Sequence, residues 1–590
     1  MLHREKCLRL ATSVLLAGVM CGNAVAEDLP PLCRMAAGGK TLLPEFRRMV
    51  AITPNGDDAG VFANGNFSFS STIAQILRTS LSVDPAAPDA DAKLDAISSP
   101  DAQRELIASL LRSFWDTSRA NANGVVNNAT RRPNEAALSA DDVLKRMKPV
   151  GLFNRIDLMP ASFDFCGEHR IVYAMDTTGL VGLETGPNRL LLIFEAAVNN
   201  PDRSNDPLGC VRIANFWKNL PAESGARRVA LKNFYYAGEL NDGGPAVTPV
   251  VHNQHFGVPF GQIRGNIFIT GGDPGGHPWT LREWRTQPIA TGTRIVNDTV
   301  KSNPAPEFYS DKPIVTDGSD HGRRQLFADL SPEFRKRFVL SHVRELIDID
   351  LNAAAGNRQP TALELANGIS ALFDEKFNDF ESVSQFPGEQ DPALIDNIRA
   401  TASKTLKDAI EAELRKYKLP QNWTLNADHI LARAEALSCG GCHNLTTDVE
   451  IAPGVPWPKP VIANPERPEL GFVHVTEKGE LSPALEATFL PGRCGFLHRF
   501  LQKHAAPVPV ADVTPPKAAP EEKQGDIANV LEAAKVLRTL SAEVSADRAA
   551  ADLTEADVFK AESDLNATIE KARENLGQTG GAFRIGNRTH

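Results

Sequence analysis

The chain has 590 residues, with 63 Lys and Arg against 73 Asp and Glu, 42% hydrophobic and 23% charged residues, 43 Gly and 41 Pro. That length suits about two to four domains with a substantial core, and the composition excludes a disordered or collagen-like chain. The acidic excess, −10 overall and −12 once residues 1–26 are set aside, leaves no basic stripe to neutralise phosphates, so no nucleic-acid partner is expected.

Residues 1–26 read as an export signal. Arg4, Lys6 and Arg9 form a positive start, Leu10 to Met20 are apolar, and Ala24-Val25-Ala26 places small residues before a cleavage ahead of Glu27. A membrane anchor is the rival reading, but the apolar segment is about half the ~20 residues a bilayer requires. A lipoprotein signal at Cys21 is disfavoured by the bulk of Met20. No later stretch is apolar for long enough to span, so the expectation is a periplasmic or secreted protein with no transmembrane segment after signal cleavage. Six cysteines then remain. Of these Cys33, Cys166, Cys210 and Cys494 can pair in three ways, and Cys166 with Cys210 is the preferred pair, since each borders a β-like run across a short loop.

Residues 27–149 are mostly helical in pattern, with Ile107, Leu110, Leu111 and Phe114 at i, i+3, i+4 and i+7. Residues 150–321 read as an antiparallel β-rich domain. Its expected strands include Arg170–Met175, Leu190–Phe194, Val229–Tyr236 and Ile263–Thr270, separated by Gly, Pro, Asn and Asp clusters. Residues 322–504 turn helical: Ser331-Pro332-Glu333 predicts a helix start, and further helices fit Thr361–Phe373, Lys404–Lys418 and Asp428–Leu437. Five prolines among residues 505–525 mark an extended linker. Residues 526–590 are a helical extension in which Ile527–Val544 and Thr554–Leu576 form a hairpin. The fold class expected is α+β, with an antiparallel β-rich middle region, a helical region after it and a C-terminal helical hairpin.

One motif carries chemistry. Cys439-Gly440-Gly441-Cys442-His443 is a CxxCH, in which two thiols on one turn can each form a thioether with a haem vinyl group and the next histidine lies under the iron. The rival readings are a short disulfide or a structural zinc site. Zinc needs four nitrogen or sulfur ligands, and no second CxxC or paired-histidine element accompanies this one.

On these five residues and the export signal, the chain resembles the c-type cytochromes. The resemblance implies one covalent haem c, with Cys439 and Cys442 as thioether anchors and His443 as proximal iron ligand. It departs from the small cytochromes in having no downstream methionine, since all seven methionines lie at or before Met175. His474, between apolar neighbours, is therefore the expected distal ligand. His498, His504, a methionine reaching from the β region and an open or water-bound position are the alternatives.

The chain also looks like a set of large exported bacterial proteins of unknown activity that carry one CxxCH toward the C-terminus. The matching stretches are Gly151–Leu158, Cys166–Val172, Gly261–Arg264 with Asn266, and Pro278–Glu283. This second resemblance implies an architecture and no activity.

Other clusters have blander readings. His252 and His255, with Asp273 and His277 nearby in sequence, could bind a metal or move protons, but loop or sheet histidines are the commoner use. Gly271–Gly276 lacks the Lys-Ser/Thr of a phosphate-binding loop, and Asp317–His321 is not a nucleophile elbow; both suit turns. Asn154, Arg155 and Asp157 alternate with apolar neighbours, which suggests a buried Arg155–Asp157 network, and Trp279 and Trp284 around Arg282 and Glu283 suggest core packing.

The reading that results is a periplasmic monohaem cytochrome-like protein in electron transfer or a haem-dependent redox step. The large β region would bind a redox partner protein or a small-molecule substrate. An exported, disulfide-stabilised binding or scaffold protein without haem is the alternative from another class, and a hydrolase using the β-region histidines is a third.

Overall fold

The computed structural model describes residue 33 and residues 43–504, apart from 84–86, 116–117, 122–123, 128–132, 161, 181–188, 203–205, 258–260, 269–279, 290–291, 299–303, 305, 312–320, 372, 379–397, 421, 439–440, 443–445 and 459–474. The expected signal sequence, the expected linker 505–525 and the expected hairpin within 526–590 lie outside the described residues. The chain divides into two compact units, one of residues 1–159, 163–504 and 584–590, the other of residues 160–162 and 505–583. Of the second unit only Pro160 and Ser162 are described.

The first unit is α+β, as expected. Its centre is a seven-stranded antiparallel sheet of β1 (Ala51–Ile52), β2 (Met147–Arg155), β3 (Phe165–Met175), β4 (Arg189–Asn199), β5 (Gln262–Phe268), β6 (Thr280–Ile289) and β7 (Gly292–Asp298), with spatial order equal to chain order. Side chains alternate between the two faces of a strand, and the register shows what each face carries. His169, Ile171 and Tyr173 of β3 point to a face covered by helices. There Thr72 of the helix Phe69–Arg78 lies 2.7 Å from the Tyr173 hydroxyl, and the Phe69 ring meets Tyr173 edge-on at 5.0 Å. On the same face Trp284 of β6 donates to Ser113 Oγ at 2.7 Å and meets Phe114 at 5.4 Å. Trp284 is thus a core residue, as its sequence setting suggested, whereas Trp279 lies outside the described residues.

Two expected elements differ. Val229–Tyr236 is not a strand but part of the helix Ser224–Ala237. Its buried residues Arg227, Ala230, Leu231 and Phe234 recur at helical spacing; the Glu223 carboxylate caps the amides of Gly225 and Ala226 at 2.7 and 2.6 Å, and Gly238 closes the end at φ 73°. Capping and a 3.6-residue period outweigh the β propensity of the aromatic residues. The helix expected to start at Ser331-Pro332 begins instead at His321 and runs to Arg337 with Pro332 inside it, then passes into a π-helical turn over Phe338–His342. The helix expected over Thr361–Phe373 starts as foreseen, with a Thr361/Glu364 capping box, but ends at Gly368, where Ile369 turns extended; Lys404–Leu414, capped by Ser403, and Ala427–Leu437, capped by Asn426, stand close to expectation.

Disulfides join Cys166 to Cys210 and Cys33 to Cys494. The first is the preferred pair, but it links a strand to the helix Leu208–Lys218 rather than strand to strand. The second joins residues 461 positions apart, so it pins residue 33 to the last described helix, Leu490–His504.

Candidate functional site

The sequence motif is approached through the helix Ala427–Leu437. This helix is held from within by Arg433, which is fully buried and ion-paired with the equally buried Asp350. Its Nε also donates to the Ile451 carbonyl at 2.7 Å, and Trp423 Nε1 donates to Asp350 at 2.6 Å. A buried ion pair needs such supplementary hydrogen bonds to offset its desolvation.

The helix stops at Ser438, whose backbone is extended. Ser438 Oγ donates to the Glu435 carbonyl at 2.8 Å and accepts from the Gly441 amide at 3.0 Å, and the Cys442 amide returns to the Ser438 carbonyl at 3.0 Å. The result is a tight turn packed against the helix end. A Cβ on Gly441 would lie 1.7 Å from the Glu435 carbonyl oxygen, so only glycine fits there. Thr446 then folds back, its amide on the Gly441 carbonyl at 3.1 Å and its hydroxyl 3.4 Å from Glu435 Oε2. Trp457, after the small hairpin of Glu450–Ala452 and Val455–Pro456, donates to the Cys442 carbonyl at 3.4 Å.

Of the motif residues, Gly441 and Cys442 are described; Cys439, Gly440 and His443 lie outside the described residues, as does His474. The Cys442 thiol is buried, which pushes its pKa up to about 12, while the charges of Arg155 and Arg493 pull the other way. Arg155 lies at the end of β2 and its guanidinium grips Asp157, with Nη2 to Oδ2 at 2.9 Å. Burial raises the Asp157 pKa, but Arg155 and Arg493 outweigh it and hold the carboxyl below its usual range. Arg493, on the helix Leu490–His504, is itself driven well below the ordinary arginine range by burial and by Arg155, with Asp157 opposing. The Arg155–Asp157 network suggested by the sequence therefore exists, and Arg493 and Cys442 belong to the same electrostatic environment.

This network is one end of a longer row. On the sheet face opposite His169, Arg155 faces Glu168, Arg170 faces Glu195, Glu195 faces Gln262, Arg264 faces Glu283, and Glu283 faces Asp298. Arg170 meets Glu168 at 2.6 Å and Glu195 at 3.2 Å; Arg264 meets Glu283 at 2.9 Å and Glu195 at 3.4 Å; Gln262 Nε2 donates to Glu195 at 2.5 Å. The stretches Gly151–Leu158, Cys166–Val172, Gly261–Arg264 and the described part of Pro278–Glu283 thus meet in a single, largely buried row of charged and polar side chains. Gly167 makes the approach possible: its φ is 75°, and a Cβ there would sit 2.4 Å from the Arg155 carbonyl oxygen.

The other histidines separate into distinct surroundings. His169 is fully buried on the helix-covered face, where its Nδ1 accepts from Trp217 Nε1 at 3.0 Å and burial lowers its pKa to about 3. His255 is likewise lowered to about 4 by burial, and its ring stands 5.5 Å from that of His252. Asp273 and His277 lie outside the described residues, and no group of three metal-ligating side chains occurs among the described residues. His504 packs on Phe163 and Phe500 at 5.7 and 5.0 Å. Burial and Lys218 of the helix Leu208–Lys218 lower the pKa of His498. Among the described residues no helix is long and apolar enough to cross a membrane.

The residues around the motif suit a haem. Cys442 retains a thiol, the form that becomes a thioether, and the buried guanidinium groups of Arg155 and Arg493 are the donor type that a haem propionate accepts. Sequence reading missed Arg493, Arg264 and Glu435. The signal for the strand residues was present, as charged side chains alternating with apolar ones within β runs. Glu435 and Arg493 sit on helices, where one buried charge has no periodic signature. No family model matches this chain, and no curated protein or solved structure is significantly similar to it.

Proposed function

We propose that the protein is an exported monohaem c-type cytochrome-like protein that carries electrons or performs a haem-dependent redox step. The observation that carries the reading is the Cys439–His443 motif, with its fourth residue held in a glycine-dependent turn and its thiol buried in the field of Arg155 and Arg493. Cys439 and Cys442 would hold the haem as thioethers, His443 its iron, and His474 is the preferred second iron ligand. When bound, the haem supplies a one-electron redox centre. The chain's own contribution is to exclude water through Trp457 and the helix Leu490–His504, and to offer positive charge through Arg155 and Arg493. The two disulfides suit the oxidising compartment that export would provide.

The test is expression with its signal in a host that has cytochrome c maturation machinery. Expected are a haem stain that survives denaturing electrophoresis and a sharp α-band in the reduced-minus-oxidised spectrum. A colourless protein whose mass equals the bare mature chain would overturn the reading, and the absence of titratable thiols in it would favour the disulfide-held binding protein. His474→Ala should abolish the low-spin spectrum, and an unchanged spectrum would remove His474 as ligand.

A further inference from the structure

Export presents a chain from its N-terminus. Beyond the expected signal, the cysteines then appear in the order Cys33, Cys166, Cys210, Cys439, Cys442 and Cys494. One disulfide respects that order, since Cys166 and Cys210 are consecutive and 44 positions apart. The other does not. Cys33 appears first and Cys494 last, 461 positions later, with the other four cysteines between them.

Chain statistics work against this second bond, because the entropy lost in closing a loop grows with its length. The loop from Cys33 to Cys166 is less than a third as long as that from Cys33 to Cys494, so in an unfolded chain it closes about six-fold more readily. What brings Cys494 to Cys33 is the finished fold. There the helix Leu490–His504 packs on the helices Pro44–Val50 and Leu208–Lys218, and the two cysteine Cα atoms stand 5.7 Å apart. The same fold shuts the sulfurs in: Cys33, Cys166, Cys210 and Cys494 are all fully buried. A wrong pair has to be corrected before that burial, because exchange needs a thiolate to reach the disulfide.

We propose that the protein is a client of a thiol–disulfide isomerase in the compartment it is exported to, and that Cys33–Cys494 is the bond that requires it. The inference rests on the export reading above. An oxidant that joins cysteines as they appear makes Cys33–Cys166 and, with the motif cysteines left as thiols, Cys210–Cys494. The isomerase thiolate attacks Cys33 of the first pair, forming a mixed disulfide and freeing the Cys166 thiolate. Cys166 attacks Cys210, which forms Cys166–Cys210 and frees the Cys494 thiolate. Cys494 then attacks Cys33 in the mixed disulfide, which forms the native bond and returns the isomerase thiolate. Two disulfides enter and two leave, so no oxidant or reductant is consumed.

The experiment expresses the full chain with its signal in two matched hosts, one lacking the isomerase, and maps disulfide-linked peptides by mass spectrometry without reduction. Wild type is expected to give several-fold less Cys33–Cys494-linked protein in the host without isomerase, the remainder carrying Cys33–Cys166. The Cys33→Ser/Cys494→Ser double variant is expected to form Cys166–Cys210 equally in both hosts. Wild type fully linked through Cys33–Cys494 in both hosts overturns the inference, as does a double variant whose Cys166–Cys210 bond shows the same dependence. If the double variant does not accumulate, reduced and unfolded wild-type chain is reoxidised in a glutathione buffer with and without added isomerase. Cys33–Cys494 should then gain several-fold more than Cys166–Cys210, and equal gains overturn the inference. A wild-type chain that keeps residues 1–26 and all its thiols overturns the export reading and the inference together, whereas a processed chain correctly linked without isomerase overturns the inference alone.

Discussion

Lowering the pH from 7.5 to 5 should destabilise the protein through His169, by an amount the structure fixes. The ring is fully buried, stacks on Trp217 at a centroid distance of 5.9 Å, and holds its Nδ1 as an acceptor for Trp217 Nε1. Burial lowers its pKa from 6.5 to about 3. The folded state therefore keeps the ring neutral, while the unfolded chain takes up a proton as pH falls below 6.5. Stability is complete at neutral pH and is lost on acidification from about 6.5 toward 3. At pH 5 the unfolded ring is almost fully charged and the folded ring is not, a difference of about 2 kcal/mol. His255, lowered to about 4 by burial, contributes about 2 kcal/mol more in the same direction. In urea unfolding followed by tryptophan fluorescence, His169→Gln should show a pH-dependent loss about 2 kcal/mol smaller than the wild type. The remaining titrating groups are common to both proteins and cancel in the comparison. Equal losses in the two proteins would refute the assignment of a neutral, proton-refusing His169.

Gly441→Ala should cut covalent haem several-fold, since the added Cβ falls 1.7 Å from the Glu435 carbonyl and the turn must open; haem stain per mole of protein is the measure, and normal loading would show that the turn is not needed. Arg433→Met strands the buried Asp350 and should cost about 3–5 kcal/mol. Adding Asp350→Asn should recover part of that loss, and a double mutant no more stable than Arg433→Met alone would show that the carboxylate charge is not what the arginine compensates.

The strands and helices with strong local signals were legible. Arg170–Met175 and Leu190–Phe194 are short apolar runs that include β-branched and aromatic residues, and they pair as β3 and β4; Lys404–Leu414 and Ala427–Leu437 carry caps and a helical period. Val229–Tyr236 reads as a strand because its aromatic residues favour strands in isolation, whereas the caps that make it a helix, Glu223 and Gly238, lie beyond both ends of that run. Ser331-Pro332 reads as a helix start because a proline suits a first turn, but nothing local reveals that the ten residues before it are already helical. Glu411 illustrates the same limit on a smaller scale. Its spacing suggests a pair with Arg415, yet its carboxylate accepts from the Ala427 amide at 2.7 Å.

What the sequence decided by itself is the chemistry available: a CxxCH and cysteines enough for two further disulfides. Those properties belong to single residues or to neighbours in the chain, so no fold is needed to see them. What only the tertiary structure decided is which distant residues share an environment. Arg493 shares the electrostatic environment of Arg155, Asp157 and Cys442, six strands contribute to one largely buried polar row, and Glu435 has an oxygen to which no described residue donates. A buried charge is tolerable only beside its partner, and that partner is set by strand register and helix docking across hundreds of residues, which no local pattern encodes.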